Sequence, residues 1–113
     1  MPLIEVVALP QPEAVDIEQV LRRLTGAVAD VLPARPEGVW ATWTTAAAYA
    51  VGPEVARRQP AQTHDPVVHV YHQRPPDAVE RMCKAIEDVL CRELSLPPGN
   101  VFITVQPVQT DAP

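Results

Sequence analysis

Residues 2–9, Pro2-Leu3-Ile4-Glu5-Val6-Val7-Ala8-Leu9, decide the reading of this chain. The same pattern, a proline followed by an apolar strand, returns 64 residues later as Pro66-Val67-Val68-His69-Val70-Tyr71-His72. That offset also pairs Pro12 with Pro76, Ala14 with Ala78, Val15 with Val79 and Pro33 with Pro97. Val39-Trp40 answers Val101-Phe102 at an offset of 62, which reads as a helix-to-strand turn two residues shorter in the second copy. Two copies of one supersecondary unit therefore fill the chain.

Each copy reads as strand, helix, strand. Ile17, Val20, Leu21, Leu24, Val28 and Val31 follow the three-and-four spacing of one helical face, and Asp16 with Gln19 forms a capping box at its start. Val79, Met82, Ile86, Val89 and Leu90 repeat the face, with Asp77 and Glu80 as the matching cap. Pro33 and Pro36 end the first helix, and Pro97, Pro98 and Gly99 the second, because proline cannot extend a helix and glycine tolerates the turn. Strands resume at Val39–Thr45 and Val101–Val105. A strand, a crossover helix and a second strand in one sheet imply parallel pairing within each copy.

Strands such as Leu3–Leu9 are apolar on both sides of the alternation, the mark of a sheet buried on both faces. Two helices cannot cover both faces of four strands, so a second face is left for another copy of the chain. The expected fold class is α/β (α+β): tandem βαβ repeats giving a four-stranded mixed sheet with two helices on one face. The 113 residues make a single domain, with repeat one at 2–45, a connection at 46–65 and repeat two at 66–108. The connection reads as a long loop holding a short helix or hairpin, and the tail from Gln106 to Pro113 as a segment that swaps onto a neighbour or frays.

A net charge of −5 without a basic stripe argues against nucleic acid. No apolar run approaches the roughly 20 residues of a membrane span, and no signal peptide is evident, so a cytoplasmic location is expected. Cys83 and Cys91 fall eight residues apart on one predicted helix, about 12 Å at 1.5 Å per residue, too far for a disulfide. They read as free thiols. Neither CxxC nor a paired histidine spacing is present, and no metal site is expected.

The residue that carries chemistry is Pro2. Methionine before a small residue is normally trimmed, and a freed Pro2 nitrogen would be a secondary amine at a strand end, able to act as a base in an apolar or cationic setting. His69 and His72 fall on opposite faces of their strand, and His72 adjoins Arg74 at its end. Tyr49 and Tyr71 are alternative proton donors. Trp40 and Trp43 read as packing residues on opposite faces.

An opening Met-Pro-Leu-Ile on an end-to-end βαβ duplication resembles the tautomerase superfamily, in which an amino-terminal proline is the catalytic base or acid. The likeness runs over nearly the whole chain, most closely at Pro2–Val6, Leu21–Leu32, Val68–Pro76 and Val101–Ile103. It implies a tautomerase/MIF-like fold, and a homotrimer whose sheets form a central barrel and cover the second face. It implies a cofactor-independent isomerase: Pro2 moves a proton on a small 2-hydroxy-dienoate or enol acid, without cofactor.

The resemblance also distributes the site. Where the 4-oxalocrotonate tautomerase branch has two arginines, this chain has Pro12 and Trp40, neither able to fork to a carboxylate. His72-Gln73-Arg74-Pro75-Pro76 resembles the Arg-Pro-Arg region of the malonate semialdehyde decarboxylase and cis-3-chloroacrylic acid dehalogenase branches, with Arg74 on the first arginine and Pro76 on the second. Arg74, His72 and Tyr49 are thus the expected substrate-binding residues, and Arg35, Arg57 or Arg58 of another chain could add a cation. Glu37 is one residue from the acid that activates water in the decarboxylase. Two other readings stay open: a hydratase-type decarboxylase or dehalogenase of a three-carbon acid, and a trimeric scaffold without chemistry.

Overall fold

The computed structural model describes residues 2–59, 64–73 and 76–108. The secondary structure runs β1 (Leu3–Ala8), α1 (Ile17–Val31), a short 3-10 turn at Pro36–Gly38, β2 (Trp40–Thr45), β3 (Tyr49–Val51), β4 (Glu54–Ala56), β5 (Val67–His72), α2 (Pro76–Glu93) and β6 (Phe102–Pro107). The main sheet has the order β2-β1-β5-β6. β1 pairs parallel with β2 and β5 parallel with β6, while β1 and β5 meet antiparallel at the centre. The two βαβ units thus lie head to tail in one mixed sheet, and β3 and β4 form a separate hairpin inside the 46–65 connection.

Period-two burial in the central strands decides where the helices go. Ile4, Val6, Val68 and Val70 are fully buried while their neighbours are half-buried. One continuous core joins that face to Val20, Leu24 and Val28 of α1 and to Met82, Ile86 and Leu90 of α2, so both helices cover the same side. Each such side chain withdrawn from water contributes about 1.5–3 kcal/mol. Arg23 of α1 and Glu93 of α2 form an ion pair across the helices.

α1 starts as its sequence specifies: the Asp16 carboxylate accepts from the backbone N–H of Gln19 at 3.2 Å. α2 departs from expectation. It begins at Pro76, so Asp77 sits inside the first turn and pairs with Arg81 at 3.6 Å instead of capping. Proline's fixed φ and missing N–H suit the first helical position, which moves the start ahead of Asp77.

The two-residue difference between copies also lies elsewhere than the helix-to-strand turn. That turn is eight residues long in both copies, 32–39 and 94–101. Its hydrogen bonds superpose at an offset of 62: Leu32 N to Val28 O with Leu94 N to Leu90 O, and Ala34 N to Ala29 O with Leu96 N to Cys91 O. Pro33 and Ser95, the corresponding residues just past the helices, both take positive φ. The shortening is in the strand-to-helix connection, eight residues (9–16) after β1 against three (73–75) after β5, partly offset by a longer α2. The expected strand ends move too: β6 runs on to Pro107, and Val108 N donates to His72 O at 2.9 Å, drawing the start of the expected tail into the sheet. Residues 109–113 lie outside the described residues.

Candidate active site at the Pro2 end of the sheet

Pro2 immediately precedes β1. Its carbonyl accepts from Trp40 N at 3.0 Å, and its ring is fully buried. The β1–β5 register runs Ile4 opposite Val70 and Leu3 opposite Tyr71. One further step sets Pro2 opposite His72, on the helix side of the sheet. His72 is 6% exposed and Val39, next to Pro2 on the β2 side, 4% exposed. A proline, a histidine and an aliphatic side chain therefore meet at one buried sheet end.

Glu37 belongs to the same end. It lies in the 3-10 turn just before β2, its backbone carbonyl accepts from Trp40 Nε1 at 3.3 Å, and its residue is solvent-exposed. Tyr49 does not. The hairpin that carries it is tied at both ends to the far end of β1, by Ala46 N to Ala8 O at 2.8 Å and Gln59 N to Pro10 O at 3.0 Å. The Tyr49 ring packs edge-on against His64, centroids 5.0 Å apart at 82°. Burial, reinforced by the Asp65 charge, raises its phenol pKa. Within one protomer Tyr49 cannot reach Pro2. Arg74 and Met1 lie outside the described residues.

The sheet face away from the helices carries groups that the sequence reading did not connect. Strand register aligns Thr42, Glu5, His69 and Thr104 in a row across all four strands, beside Trp40, Leu3, Tyr71 and Gln106. The Tyr71 hydroxyl hydrogen-bonds the Glu5 carboxylate one row away, and that bond, with the Glu5 charge, raises the phenol pKa. His69 Nδ1 stands 2.6 Å from Thr104 Oγ1. Glu5 was missed because its contact follows only from antiparallel β1–β5 pairing, which the βαβ pattern does not itself state.

Among the described residues no group of three His, Cys, Asp or Glu could hold a metal ion, and no helix is long and apolar enough to cross a membrane. Cys83 and Cys91 are free, and burial raises both thiol pKa values.

Comparison with solved structures joins this geometry to a known architecture. A native fused 4-OT superposes with TM-score 0.79 at 19% identity, covering 94% of this chain and 86% of that one. The chain has the tautomerase-superfamily fold. A wild-type fused 4-OT solved as an asymmetric trimer gives TM-score 0.76 at 18% identity over 94% of this chain and 85% of the other. Malonate semialdehyde decarboxylase, described for its decarboxylase and hydratase activities, gives 0.68 at 14% identity over 94% and 84%. No protein-family model and no curated protein sequence matches the chain.

Proposed function

We propose that the protein is a cofactor-independent tautomerase that moves a proton on a small 2-hydroxy-dienoate or enol acid, with Pro2 as general base after removal of Met1. The observation that carries this reading is Pro2 at the buried end of β1 in a sheet of tautomerase fold. A freed secondary amine in apolar surroundings is disfavoured in its charged form, which favours the neutral base. Positioning an amine against an enolizable carbon supplies most of the acceleration, and charge stabilisation of the dienolate adds to it. Arg74, two residues past His72 in the chain, is assigned the carboxylate, and His72 the role of orienting the substrate beside Pro2.

The same reading makes the working unit a cytoplasmic homotrimer. Among the described residues no layer covers the sheet face bearing Leu3, Val7 and Val67 within one protomer, and Tyr49, remote from its own Pro2, is assigned to a neighbour's site. Sedimentation equilibrium tests this; a stable monomer at micromolar concentration overturns it.

Treatment of the untagged protein with an acetylenic 2-keto acid, followed by peptide mass mapping, tests the reactive amine. A single adduct on an amino-terminal peptide beginning at Pro2 supports the proposal. Retained Met1, or labelling confined to Cys83 and Cys91, refutes it and favours the trimeric scaffold.

One observation favours a second chemistry. The turn bearing Glu37 lies at the Pro2 end, where an acid could activate water for hydration and decarboxylation of a three-carbon acid. Turnover of malonate semialdehyde that is lost in Glu37→Gln would move the assignment to that branch.

A further inference from the structure

The turn into β2 holds an open aromatic face beside Pro2. Trp40 N donates to Pro2 O at 3.0 Å, and the parallel register sets Trp40 opposite Leu3. The indole Nε1 donates to Glu37 O at 3.3 Å, and Glu37 precedes β2. That bond turns the indole back past Val39, the residue level with Pro2 in the same register. The ring is thereby held at the end of the sheet where the Pro2 nitrogen emerges.

Its orientation is fixed, yet Trp40 is 53% exposed. A large aromatic side chain left open at the edge of a candidate site is a surface for a ligand. The charges placed around it are mostly negative. Glu5, the next residue after Leu3 on the same face of β1, bonds the Tyr71 hydroxyl through its carboxylate. Glu37 and Arg35 are both exposed in the turn into β2. Two carboxylates against one guanidinium oppose a further carboxylate there and admit an uncharged group.

We infer that Trp40 is a specificity-determining residue of the Pro2 site: its indole takes the flat, uncharged end of a monocarboxylic enol acid and rejects acids with a second carboxylate at that end. Stacked or edge-on contact with a second π system suits this face. The inference rests on the tautomerase reading of Pro2 and narrows its substrate to enol acids bearing an aryl or alkenyl group. The single carboxylate stays with Arg74.

Calorimetric titration with cinnamate, an aryl monocarboxylate, and trans,trans-muconate, a linear dicarboxylate, reads the site without turnover, because neither is an enol. The wild-type protein is expected to bind cinnamate at least about tenfold more tightly than muconate, and Trp40→Ala to lose at least about tenfold in cinnamate affinity. Trp40→Arg, which supplies a fork for a carboxylate, should reverse the order. The same order, and the same reversal, is expected in kcat/KM for phenylenolpyruvate against 2-hydroxymuconate. Circular dichroism and sedimentation of Trp40→Ala should match the wild type; dissociation would place the indole against a second copy and overturn the inference. Equal affinity for the two acids, no saturable binding of either at tens of millimolar, or full retention of cinnamate in Trp40→Ala also overturns it, even where catalysis persists. Cinnamate binding that depends on Trp40 in a Met1-free protein inactive with both enols would instead uphold the assignment of Trp40 and remove the chemistry assigned to Pro2.

Discussion

Replacing Leu24 by alanine should destabilise the protein by about 3.4–4.4 kcal/mol, and replacing Ile86 by alanine should cost nearly as much. Both side chains are 0% exposed in the single core beneath the sheet. Leu→Ala removes three carbons, about 2.4 kcal/mol at 0.8 kcal/mol each. The incompletely collapsed cavity adds about 1–2 kcal/mol. The pair is diagnostic because the helices correspond at an offset of 62, which makes Ile86 the counterpart of Leu24. At an offset of 64 the counterpart would be Asp88, an exposed residue whose only described pairing is with Lys84 at 2.9 Å. Asp88→Ala should therefore cost no more than about 0.5 kcal/mol. Urea denaturation of the three variants at one fixed protein concentration gives the comparison, since assembly makes apparent stability concentration-dependent. An Asp88→Ala cost equal to that of Leu24→Ala, or an Ile86→Ala cost below about 1 kcal/mol, would refute both the repeat registry and the shared core.

Three further outcomes follow from particular contacts. Asp16→Ala should cost about 1 kcal/mol by removing the α1 cap, whereas Asp77→Ala, inside the first turn of α2, should cost at most about 0.5 kcal/mol; thermal melts compare them. Glu5→Ala should lower the Tyr71 phenol pKa toward its ordinary value, because the hydrogen bond and charge that raise it go together; ultraviolet titration of tyrosinate against pH reads this, and an unchanged curve contradicts the contact. Both thiols should react slowly with a disulfide reagent at neutral pH and faster as pH rises, since burial lifts Cys83 and Cys91 above the usual thiol range and leaves little thiolate; rapid reaction at pH 7 would contradict that burial.

Much of the fold is legible because the chain states it twice. The β5 limits Val67–His72 and the Asp16 cap can be read from alternation and capping chemistry alone. The mirrored prolines mislead on detail. Pro33 and Pro97 agree at an offset of 64, but helical side-chain phase and the hydrogen bonds beyond each helix keep 62. Proline marks where a helix cannot continue and says little about how many residues preceded it. Asp77 misleads for a related reason, since a preferred Pro76 at the first helical position outweighs a good capping residue one step later.

The candidate site is legible only where one strand end suffices. Pro2 and His72 both stand at strand ends, and antiparallel pairing makes them neighbours. Tyr49 could not be placed, because it rides on a hairpin whose anchoring at Ala8 and Pro10 no local pattern announces. The Gln11–Gln59 contact joins segments 48 residues apart through side-chain amides and has no periodic signature.

The central claim is best tested by kcat/KM for phenylenolpyruvate ketonization, measured on untagged protein whose intact mass shows that Met1 is gone, beside Pro2→Ala. Loss of about 10²–10⁴-fold in the variant, the usual worth of a positioned general base, is the predicted result. Activity indifferent to the substitution, or absent from the Met1-free wild type with both phenylenolpyruvate and 2-hydroxymuconate, would contradict a Pro2-based tautomerase.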